Sequence, residues 1–541
     1  DIMYFDKWGG VFYYPLFQLY QRNIVFIFWG FIISILPFFA ILLFRKNHFV
    51  IFFTLVSLIG LFLSKGTHSS LGNIYLWMMK HIPGFWIYRA PWQKFAILAT
   101  LGYSVLIGMG IGNIFQILKH KFSRNSNFTG LIPNLFLVGF FILYFGYHYP
   151  FILGKMFPGS MDKEWGYHQK FRLGYHIKFP KYLFESADWI NGKRNLFNIV
   201  LLPDDKTNVY KWGYGGSGDI SLLLFNRGLL FRQYGEGMAP PSPVDGVYFQ
   251  FINSLYNKSP SASVYLKLLN IRYILQRNDF RYNFYGDYDS PQFIKDRLNY
   301  QVNINLDKVF GYWDFYKVSD DYFLPHIYSS TSNAVVHDNL NTMLKTMEAN
   351  SYDKLPLFIE KTHLKLDLNN LNLAQTPPTI TFRKINPTRY EVKIENATAP
   401  FFLVFSESYH PKWKAYIKTE NRNWEMGNGR QKIENEKWEI IAEYPKVHVK
   451  EARHDWYKFT PQDIKYLFEK PLPEKSHSLV NGYANAWYID PKEIGQQNFT
   501  ITLYFWPQSL FYLGLFISGA TLLGCIGYLG YAWRKRSFKK K

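Results

Sequence analysis

FTITLYFWPQSLFYLGLFISGATLLGCIGYLGYAW, residues 499–533, joins two kinds of secondary structure. Its first seven residues alternate apolar side chains with threonine or tyrosine, a pattern typical of a β-strand. Residues 509–533 contain no Asp, Glu, Lys or Arg and exceed the ~20 residues that a helix needs to cross the hydrocarbon core of a bilayer. The stretch therefore predicts a strand that leads through Trp506 and Pro507 directly into a membrane-spanning helix.

Four earlier stretches have the same character, at residues 23–44, 49–64, 96–118 and 130–153, of which the second is the shortest. One such stretch alone is also compatible with a buried helix of a soluble protein. Five together predict a polytopic α-helical membrane protein with five transmembrane helices, whose first partner is the lipid bilayer.

The basic residues orient these helices. The connection after the first span, the connection after the third and the C-terminal tail hold eleven basic residues and no acidic ones: Arg45, Lys46, Lys119, Lys121, Arg124, Arg534, Lys535, Arg536, Lys539, Lys540 and Lys541. Such loops stay in the cytoplasm. The chain then begins outside, residues 65–95 and 154–508 are extracytoplasmic, and the C-terminus is cytoplasmic. Membrane topology also accounts for much of the net charge of +21, so no nucleic-acid partner is implied.

The spans divide the chain into four parts. Residues 1–153 form a membrane domain with four transmembrane helices and an outer interfacial loop at 65–95. Residues 154–330 are loop-rich and predict a mixed α/β domain, with a helix that runs into a buried strand at 265–276. Residues 331–508 carry short strand patterns that predict a β-sandwich-like domain, at 379–384, 389–394, 401–406, 413–417, 437–444 and 499–505, with a helix at 461–469. Residues 509–541 are the last transmembrane helix and its basic cytoplasmic tail. The chain starts at Asp1, and we expect it to be part of a longer protein.

The outer loop at 65–95 contains a candidate phosphate site. Residues 71–81 are apolar and aromatic and predict a helix in the membrane interface, after which YRAPW occupies 88–92. The guanidinium of Arg89 suits a phosphate group, with Lys94 and His81 nearby and with Tyr88 and Trp92 beside it. This set predicts a clamp on the phosphate of a lipid-linked donor. Ordinary anchoring of a loop by Arg, Lys and Trp is the alternative.

A second candidate lies in the outer region, where KWGYGGSGD at 211–219 and YGEGMAPPSPV at 234–244 are rich in glycine and aromatic residues. The first lacks the Gly-Lys-Ser/Thr ending of a phosphate loop. Aromatic rings stack on sugar faces and carboxylates accept hydroxyl protons, so Asp219 and Glu236 are candidate sugar-binding residues. The alternative is a tight loop that packs aromatic rings.

Several kinds of chemistry leave no trace in the sequence. The fourteen histidines show no HExxH or similar metal spacing, and the single cysteine, Cys525, excludes thiolate zinc sites and disulfides. No GxSxG, Walker or dinucleotide motif occurs. No cofactor is identified, and a divalent metal stays open. The spans contain no Asp, Glu, Lys or Arg, which argues against a transporter. Asp6, outside the first span, is either a base at the membrane surface or a solvated carboxylate. Gly108, Gly110 and Gly112 predict close helix packing in the third span.

An ordered set of motifs runs through the chain. After the YRAPW loop it reads LLNIRYIL (268–275), WDFYKVSDDYFLPHIY (313–328), FSESYHPKWKAYI (405–417), NGYANAWYI (481–489) and YFWPQSLFYLGLFIS (504–518). This set resembles the C-terminal half of the YfhO-like bacterial membrane proteins, relatives of the GT-C class of glycosyltransferases. The resemblance covers about residues 23–533.

The resemblance implies an enzyme that takes a sugar from a polyprenyl-phosphate donor and attaches it to an extracytoplasmic glycopolymer or lipid. In that class the catalytic acid lies in the first outer loop, which would precede residue 1, so the catalytic residue is unknown here. Arg89 and its neighbours then correspond to a contact with the donor phosphate. Seven residues are a candidate sugar-facing patch, and β-sandwich core or turn residues are the alternative for them: Glu407, Tyr409, Trp413, Asn481, Tyr483, Asn485 and Trp487. The competing hypothesis for the whole chain is a non-catalytic, membrane-anchored envelope protein whose outer domain binds glycan or a protein partner.

Overall fold

The computed structural model describes residues 20, 23–44, 46–68, 71–122, 131–153, 178–204, 208–212, 215–216, 219–231, 243–260, 262–280, 290–331, 334–349, 357–363, 373–418 and 438–538. Contacts divide the chain into two units, Asp1–Ile177 and Lys178–Lys541. Asp6 and Glu236 lie outside the described residues, as does much of the glycine-rich loop before Asp219.

The described part of the first unit is helical. Its helices are α1 (Ile24–Leu43), α2 (His48–Lys65), α3 (Gly72–His81), α4 (Pro91–Phe122) and α5 (Leu131–Ile152), with a 3₁₀ turn at Phe85–Tyr88. The side chains of Asn23 and Asn47 accept hydrogen bonds from the first backbone amides of α1 and α2, which fixes where these helices begin. Four of the five predicted spans thus form helices, as does the predicted segment at 71–81.

Helices α2 and α4 cross where glycines let the two backbones meet. A Cβ added at Gly60 would lie 2.4 Å from the backbone nitrogen of Ala99, and one at Gly102 would lie 2.7 Å from the carbonyl oxygen of Phe53. Of the three glycines predicted to pack closely, only Gly110 has a described atom within 4 Å of such a Cβ, the carbonyl oxygen of Leu36 at 3.0 Å. The prediction therefore holds for Gly110 and not for Gly108 or Gly112, because spacing along one helix does not show which face its neighbour covers.

Gly60→Ala should lower the stability of the first unit by about 1–3 kcal/mol, because backbone at the crossing cannot move aside for the new methyl group. Thermal unfolding of the detergent-solubilised chain measures the effect. Gly108→Ala is the matched control, since no described atom lies within 4 Å of a Cβ there. Equal melting temperatures for the two variants would contradict the close crossing of α2 and α4.

The second unit starts with an α/β layer. Five strands form a mixed sheet in the order β4-β1-β5-β7-β6. Their bounds are β1 (Asn198–Leu202), β4 (Gly228–Leu230), β5 (Ile271–Arg277), β6 (Ile304–Phe310) and β7 (Trp313–Val318), and a short pair is formed by β2 (Asn208–Val209) and β3 (Gly215–Gly216). The accompanying helices are α6 (Lys181–Asn191), α7 (Ser221–Leu224), α8 (Pro243–Tyr256), α9 (Ala262–Leu268) and α10 (Pro291–Tyr300). The predicted helix running into a buried strand is α9 followed by β5, which confirms that prediction.

Two six-stranded sheets follow, in the orders β8-β13-β18-β17-β10-β9 and β14-β19-β12-β11-β16-β15. The strands of the first are β8 (Ile327–Ser330), β9 (Ala334–His337), β10 (Leu357–Glu360), β13 (Phe401–Ser408), β17 (His477–Val480) and β18 (Ala484–Ile489). The strands of the second are β11 (Thr379–Asn386), β12 (Arg389–Glu395), β14 (Trp413–Lys418), β15 (Ile440–Tyr444), β16 (Val449–Ala452) and β19 (Phe499–Phe505). Side chains of the two sheets share one apolar core: the ring of Phe405 lies 4.8 Å from that of Tyr390 and 4.9 Å from that of Trp413.

Shorter elements complete this unit: α11 (Leu340–Ala349), α12 (Pro491–Ile494) and 3₁₀ turns at Asp320–Tyr322, Lys361–His363, Pro445–Val447, Pro461–Leu467 and Glu474–Ser476. The helix predicted at 461–469 is thus a 3₁₀ turn, closed by bonds from Asp463 N to the carbonyl of Thr460 and from Phe468 N to that of Lys465. The predicted domain boundary at 330 falls at the end of β8, which pairs with β13, and the apolar core runs through both sides of it.

The last helix, α13 (Pro507–Phe538), follows β19 with only Trp506 between them. The predicted passage from strand to helix is therefore confirmed. Including α13, five helices of the described chain are long and apolar enough to cross a membrane, judged by length and composition. The first turn of α13 is fixed to its own unit, since the hydroxyl of Ser509 donates to the carbonyl of Asp463 at 2.9 Å.

Candidate functional site

The Arg89 loop of the first unit is held from below by aromatic packing. The hydroxyl of Tyr75, which is 1% exposed, donates to the carbonyl of Tyr88 at 2.6 Å. The ring of Tyr88 lies 5.2 Å from Phe85 and 4.9 Å from Phe95. This cluster fixes the turn that precedes α4, and the side chain of Arg89 extends from that turn.

The three candidate phosphate contacts are exposed. Arg89 and Lys94 stand on either side of Pro91, where α4 begins, and no acceptor pairs with either of them among the residues that the structure describes. His81 ends α3, where its ring stacks on Trp77 at 5.1 Å and its Nδ1 lies 2.9 Å from the carbonyl of Trp77. Trp92 is exposed and Tyr88 is half-buried. Arg89 and Lys94 are therefore exposed basic side chains for which the described residues provide no partner.

Of the seven residues in the predicted sugar-facing patch, five are buried. Trp413, Asn481, Tyr483, Asn485 and Trp487 are at most 7% exposed. Their polar atoms are used internally: Tyr483 donates to the carbonyl of Leu268 at 2.6 Å, and Asn481 accepts from Phe358 N at 3.2 Å. Such burial agrees with the alternative of core and turn residues.

Asp219 is also an interior residue. Its carboxylate forms an ion pair with Arg277, and neither side chain is exposed. The backbone amide of Ser221 donates to Asp219 at 2.8 Å, and Tyr210 lies 3.3 Å from both carboxylate oxygens. Asp219 therefore has the surroundings of a structural ion pair, with no surface left for a sugar.

Glu407, the sixth member of the patch, lines a cavity of about 260 Å³ in the second unit. We call this the Glu407 cavity. Charged, titratable or aromatic side chains that also line it belong to Arg227, His326, Lys384 and Trp456. The remaining lining residues are Leu196, Phe197, Asn198, Phe225, Asn226, Gly228, Pro387 and Tyr457. All three large sheets of this unit contribute to it.

Glu407 reaches the cavity because of a β-bulge. The pairing of β13 with β18 shifts register between Phe405 and Ser408, so Ser406 and Glu407 are extra residues on β13. A bulge re-aims side chains and commonly lies next to functional sites. The amide of Asn485 fixes this one by donating to the carbonyl of Glu407 at 2.9 Å. Asn485 was predicted to face a sugar. In the structure its side chain instead holds the backbone of Glu407.

Lys384 lies directly before a second bulge, on the other six-stranded sheet. The pairing of β11 with β12 shifts register between Lys384 and Asn386. The backbone amide of Lys384 donates to Nδ1 of His454 at 2.9 Å, so the proton of that imidazole is on Nε2 and faces Glu451 Oε1 at 2.7 Å. This buried pair fixes the backbone at Lys384 and leaves the ammonium group to the cavity.

The electrostatics of Glu407 favour its charged form. Burial by itself would raise the pKa of this carboxyl, but the neighbouring imidazole of His326, the charge of Lys384 and a 3.0 Å hydrogen bond from Tyr390 together hold the pKa below its ordinary value. His326 Nε2 lies 3.3 Å from Glu407 Oε1, close enough for an ion pair but not aligned as a hydrogen bond. The carboxylate therefore keeps lone pairs for a ligand.

Lys384 supplies a donor without an acceptor. Burial lowers the pKa of its ammonium group, the charge of Glu407 opposes that shift and the charge of Arg227 adds to it. Within the described part of the chain its Nζ has no hydrogen-bond partner, and its nearest polarisable neighbours are the rings of Tyr390 and Trp456, at 5.5 and 5.7 Å. A desolvated cation in this state is stabilised by any ligand oxygen that reaches it.

Aromatic rings close the cavity. The guanidinium of Arg227 lies between Phe197 and Trp456, 4.9 and 4.6 Å from their ring centres. Trp456 has a φ of +58°, which is unfavourable for a bulky side chain and is held by the surrounding contacts. Tyr457 follows it with 64% of its surface exposed. The cavity thus combines aromatic faces with a carboxylate and with the ammonium group of Lys384, which has no acceptor among the described residues.

Sequence reasoning found Glu407 but missed its four partners. Arg227, Lys384 and Trp456 belong to no motif, and His326 lies within the 313–328 motif without any local sign of function. Tyr409, the last of the seven patch residues, is half-buried beside the bulge, with its ring 5.0 Å from that of His477. No group of three His, Cys, Asp or Glu side chains within the described ranges has the arrangement of a metal site.

No family model matches the chain, and no curated protein matches it. Among solved structures, the chain aligns with the arabinofuranosyltransferase AftD from mycobacteria at 10% identity and a TM-score of 0.32, over 85% of this chain and 39% of AftD. A point mutant of the same enzyme aligns at 10% identity and a TM-score of 0.33, over 88% of this chain and 43% of the mutant. The chain thus spans about two fifths of these structures. A similarity at these TM-scores is too loose to assign a fold or a function.

Proposed function

We propose that the chain is the C-terminal part of a membrane glycosyltransferase of the GT-C kind, which transfers sugar from a polyprenyl-phosphate donor to an extracytoplasmic glycopolymer or lipid. In this proposal the five apolar helices span the cytoplasmic membrane, residues 154–508 lie outside the cell with the two six-stranded sheets as a β-sandwich, and the C-terminus is cytoplasmic. The ordered motifs support the class of enzyme. The Glu407 cavity supports the binding of a saccharide.

The observation that carries the proposal is the set of groups in the Glu407 cavity. Sugar hydroxyls both donate and accept, and the cavity offers a charged acceptor, Glu407, beside a charged donor, Lys384, for which the described part of the chain supplies no acceptor. The exposed ring of Tyr457 at its wall suits the apolar face of a pyranose or furanose. The volume of about 260 Å³ lies just below the ~300–1,000 Å³ typical of small-molecule sites, which fits one sugar unit of a longer acceptor.

Lys384→Met should weaken saccharide binding roughly 10- to 100-fold, the effect of losing a charged hydrogen bond in a desolvated site. The affinity of the detergent-solubilised chain for a panel of oligosaccharides, measured by calorimetry, tests this. Lys393→Met is the control, since Lys393 lies on the neighbouring strand β12, is half exposed and pairs with Glu395 at 2.7 Å. Unchanged affinity in Lys384→Met, or no saccharide binding by the unmutated chain, would remove the cavity from the proposal.

The Arg89 loop is proposed to bind the donor phosphate. A planar guanidinium offers phosphate two parallel hydrogen bonds, and the exposed Arg89 has no described partner to give up. In full-length protein, Arg89→Ala should slow sugar transfer from a polyprenyl-phosphate donor by about tenfold or more. The transfer rate of Arg89→Lys should lie between those of Arg89→Ala and the unmutated protein, because lysine keeps the charge but cannot donate two parallel hydrogen bonds.

Lys80→Ala, at an exposed position on α3, is the control for lost charge in the same loop. Transfer at the unmutated rate in Arg89→Ala would show the phosphate role to be wrong. Saccharide binding by full-length protein that transfers no sugar would favour the non-catalytic envelope protein, because that protein needs the cavity but not the donor site.

A further inference from the structure

Two large aromatic side chains stand out from the second unit beside α13. Phe459 is 62% exposed and Phe468 is 87% exposed, and they flank the 3₁₀ turn at Pro461–Leu467. Both belong to one short segment, and exposed apolar surface of this kind can mark a site of contact with a partner or a membrane. We call residues 459–470 the Phe459–Phe468 segment.

This segment is fastened to the start of α13. The ring of Phe459 lies 5.5 Å from that of Tyr512, and Thr460 Oγ1 lies 3.4 Å from the Tyr512 hydroxyl. The bond from Ser509 to the carbonyl of Asp463 adds a second attachment. The segment therefore has a fixed height along the axis of α13, at its first two turns.

The composition of α13 shows which part of it meets lipid. Ser509 and Tyr512 are buried in the unit, at 0% and 6% exposure, although Leu510 and Phe511 between them are exposed. After Tyr512 nearly every residue of the helix up to Trp533 is exposed. Residues 513–533 number about 21, which at ~1.5 Å per residue span roughly 30 Å, the thickness of a hydrocarbon core. Trp533 is followed by Arg534 and Lys535, the usual signature of the cytoplasmic interface. The outer interface then falls at Tyr512, where Phe459 packs.

Lysines occur within the segment and near the start of α13. Lys470 is exposed, Lys465 pairs with Glu469 at 3.0 Å, and the Nζ of Lys412 lies 5.5 Å from the ring centre of Trp506, just before α13. Aromatic rings with lysines around them are the composition that settles at lipid headgroups.

We propose that the Phe459–Phe468 segment docks on the extracytoplasmic surface of the membrane that α13 spans, with both rings at the boundary between lipid headgroups and acyl chains. The inference rests on α13 spanning a bilayer, which is part of the proposed function. It has a consequence for the Glu407 cavity: Tyr457, on the cavity wall, is two residues from Phe459, so their Cα atoms are at most about 7 Å apart. The cavity is thus held at the membrane surface, where the saccharide of a lipid-linked substrate lies.

The single cysteine makes the test direct. In liposomes of zwitterionic and anionic phospholipid, a fluorescent label on the native Cys525, near the middle of residues 513–533, should be quenched by deep spin-labelled lipid and not by iodide in water. In a Cys525→Ser background, the fluorescent label is placed at Phe468→Cys or at Lys470→Cys. In liposomes its fluorescence should be quenched by lipids that carry a spin label on the headgroup and should not be quenched by iodide. The second position keeps both phenylalanines in place.

Val302→Cys in the same background is the matched control, because Val302 is 88% exposed but lies just before β6 of the five-stranded sheet, outside the Phe459–Phe468 segment. Its label should be quenched by iodide alone. Adding Phe459→Ser and Phe468→Ser to the Lys470→Cys protein should restore iodide quenching. Iodide quenching at 468 and 470 with a deep Cys525 label would overturn the docking surface and leave the spanning helix intact. A Cys525 label in water would overturn both.

Discussion

Replacing Arg277 by methionine should lower the free energy of unfolding of the second unit by about 3–5 kcal/mol, because it leaves a buried carboxylate without its counter-ion. Arg277 lies on β5 with no exposed surface and binds Asp219 through Nη1. Its Nε and Nη2 donate to the carbonyls of Leu202 and Pro203 at 3.1 and 2.8 Å. Methionine replaces the apolar stem and none of these bonds. Urea unfolding of the detergent-solubilised chain, followed by tryptophan fluorescence, measures the loss.

Two variants separate the buried charge from charge in general. Arg194→Met removes an arginine whose partner, Glu439, is at 3.2 Å and whose own side chain is 67% exposed, so the expected cost is below about 1 kcal/mol. Adding Asp219→Asn to Arg277→Met should restore part of the stability, since no unpaired charge is then left inside. A double variant less stable than Arg277→Met, or a single variant within 1 kcal/mol of the unmutated chain, would contradict this account of the pair.

The stability difference between the unmutated chain and Glu391→Gln should depend on pH. Glu391, on β12, is 8% exposed and contacts Arg383, Arg389 and Lys418 at 2.7 to 2.8 Å. Burial alone would raise the pKa of this carboxyl, but Lys418, Arg389 and Arg383 outweigh burial and hold the pKa at about 2. The ordinary pKa of the group is 4.5, so the pairing contributes roughly 3 kcal/mol at neutral pH.

Because the folded pKa is the lower one, this contribution is complete above the unfolded value and is lost as the pH falls towards 2. About half of it should be gone by pH 3. Thermal unfolding of both proteins between pH 7 and pH 3 should therefore show their difference shrinking. Glu395→Gln on the same strand, where the partner Lys393 is half exposed, should cost less than about 0.5 kcal/mol at each pH. A difference that stays constant with pH would mean that Glu391 is not held by its charge.

At both proposed sites, charged side chains are held in position for a ligand by the packing and hydrogen bonds of neighbouring residues. At Arg89 the support is a cluster of aromatic rings around Tyr75. At Glu407 and Lys384 it is a pair of bulges, fixed by Asn485 and His454. Preorganisation of this kind lowers the cost of binding, since the protein groups are already in place when the ligand arrives.

The sequence predicted those elements whose cause is local. Runs of about 20 residues without charge indicated the helices, and alternation indicated the strands at 379–384, 389–394, 401–406 and 413–417, all of which are present. The passage from β19 through Trp506 into α13 was predicted for the same reason. The turn at Pro461–Leu467 was predicted as an α-helix because composition does not separate a 3₁₀ turn from a short α-helix.

The candidate site depended on what the sequence does not contain. The patch residues 481, 483, 485 and 487 resembled a binding motif, yet all four are buried, since β18 is covered on both faces and the sequence of one strand does not show what covers it. Glu407 was found because it stood in a distinctive motif, and not because its environment could be foreseen.

What the sequence by itself determined about this protein is a set of five helices long and apolar enough to span a membrane, with a strand-rich region that leads into the last of them. These follow from properties of neighbouring residues. Only the tertiary structure decided that His326, Lys384, Glu407 and Trp456 line one cavity, because strand pairing, with register shifts beside Lys384 and at Glu407, brings together residues that lie up to 130 positions apart. A bulge moves a side chain from one face of a strand to the other, and that choice is made by contacts across the sheets.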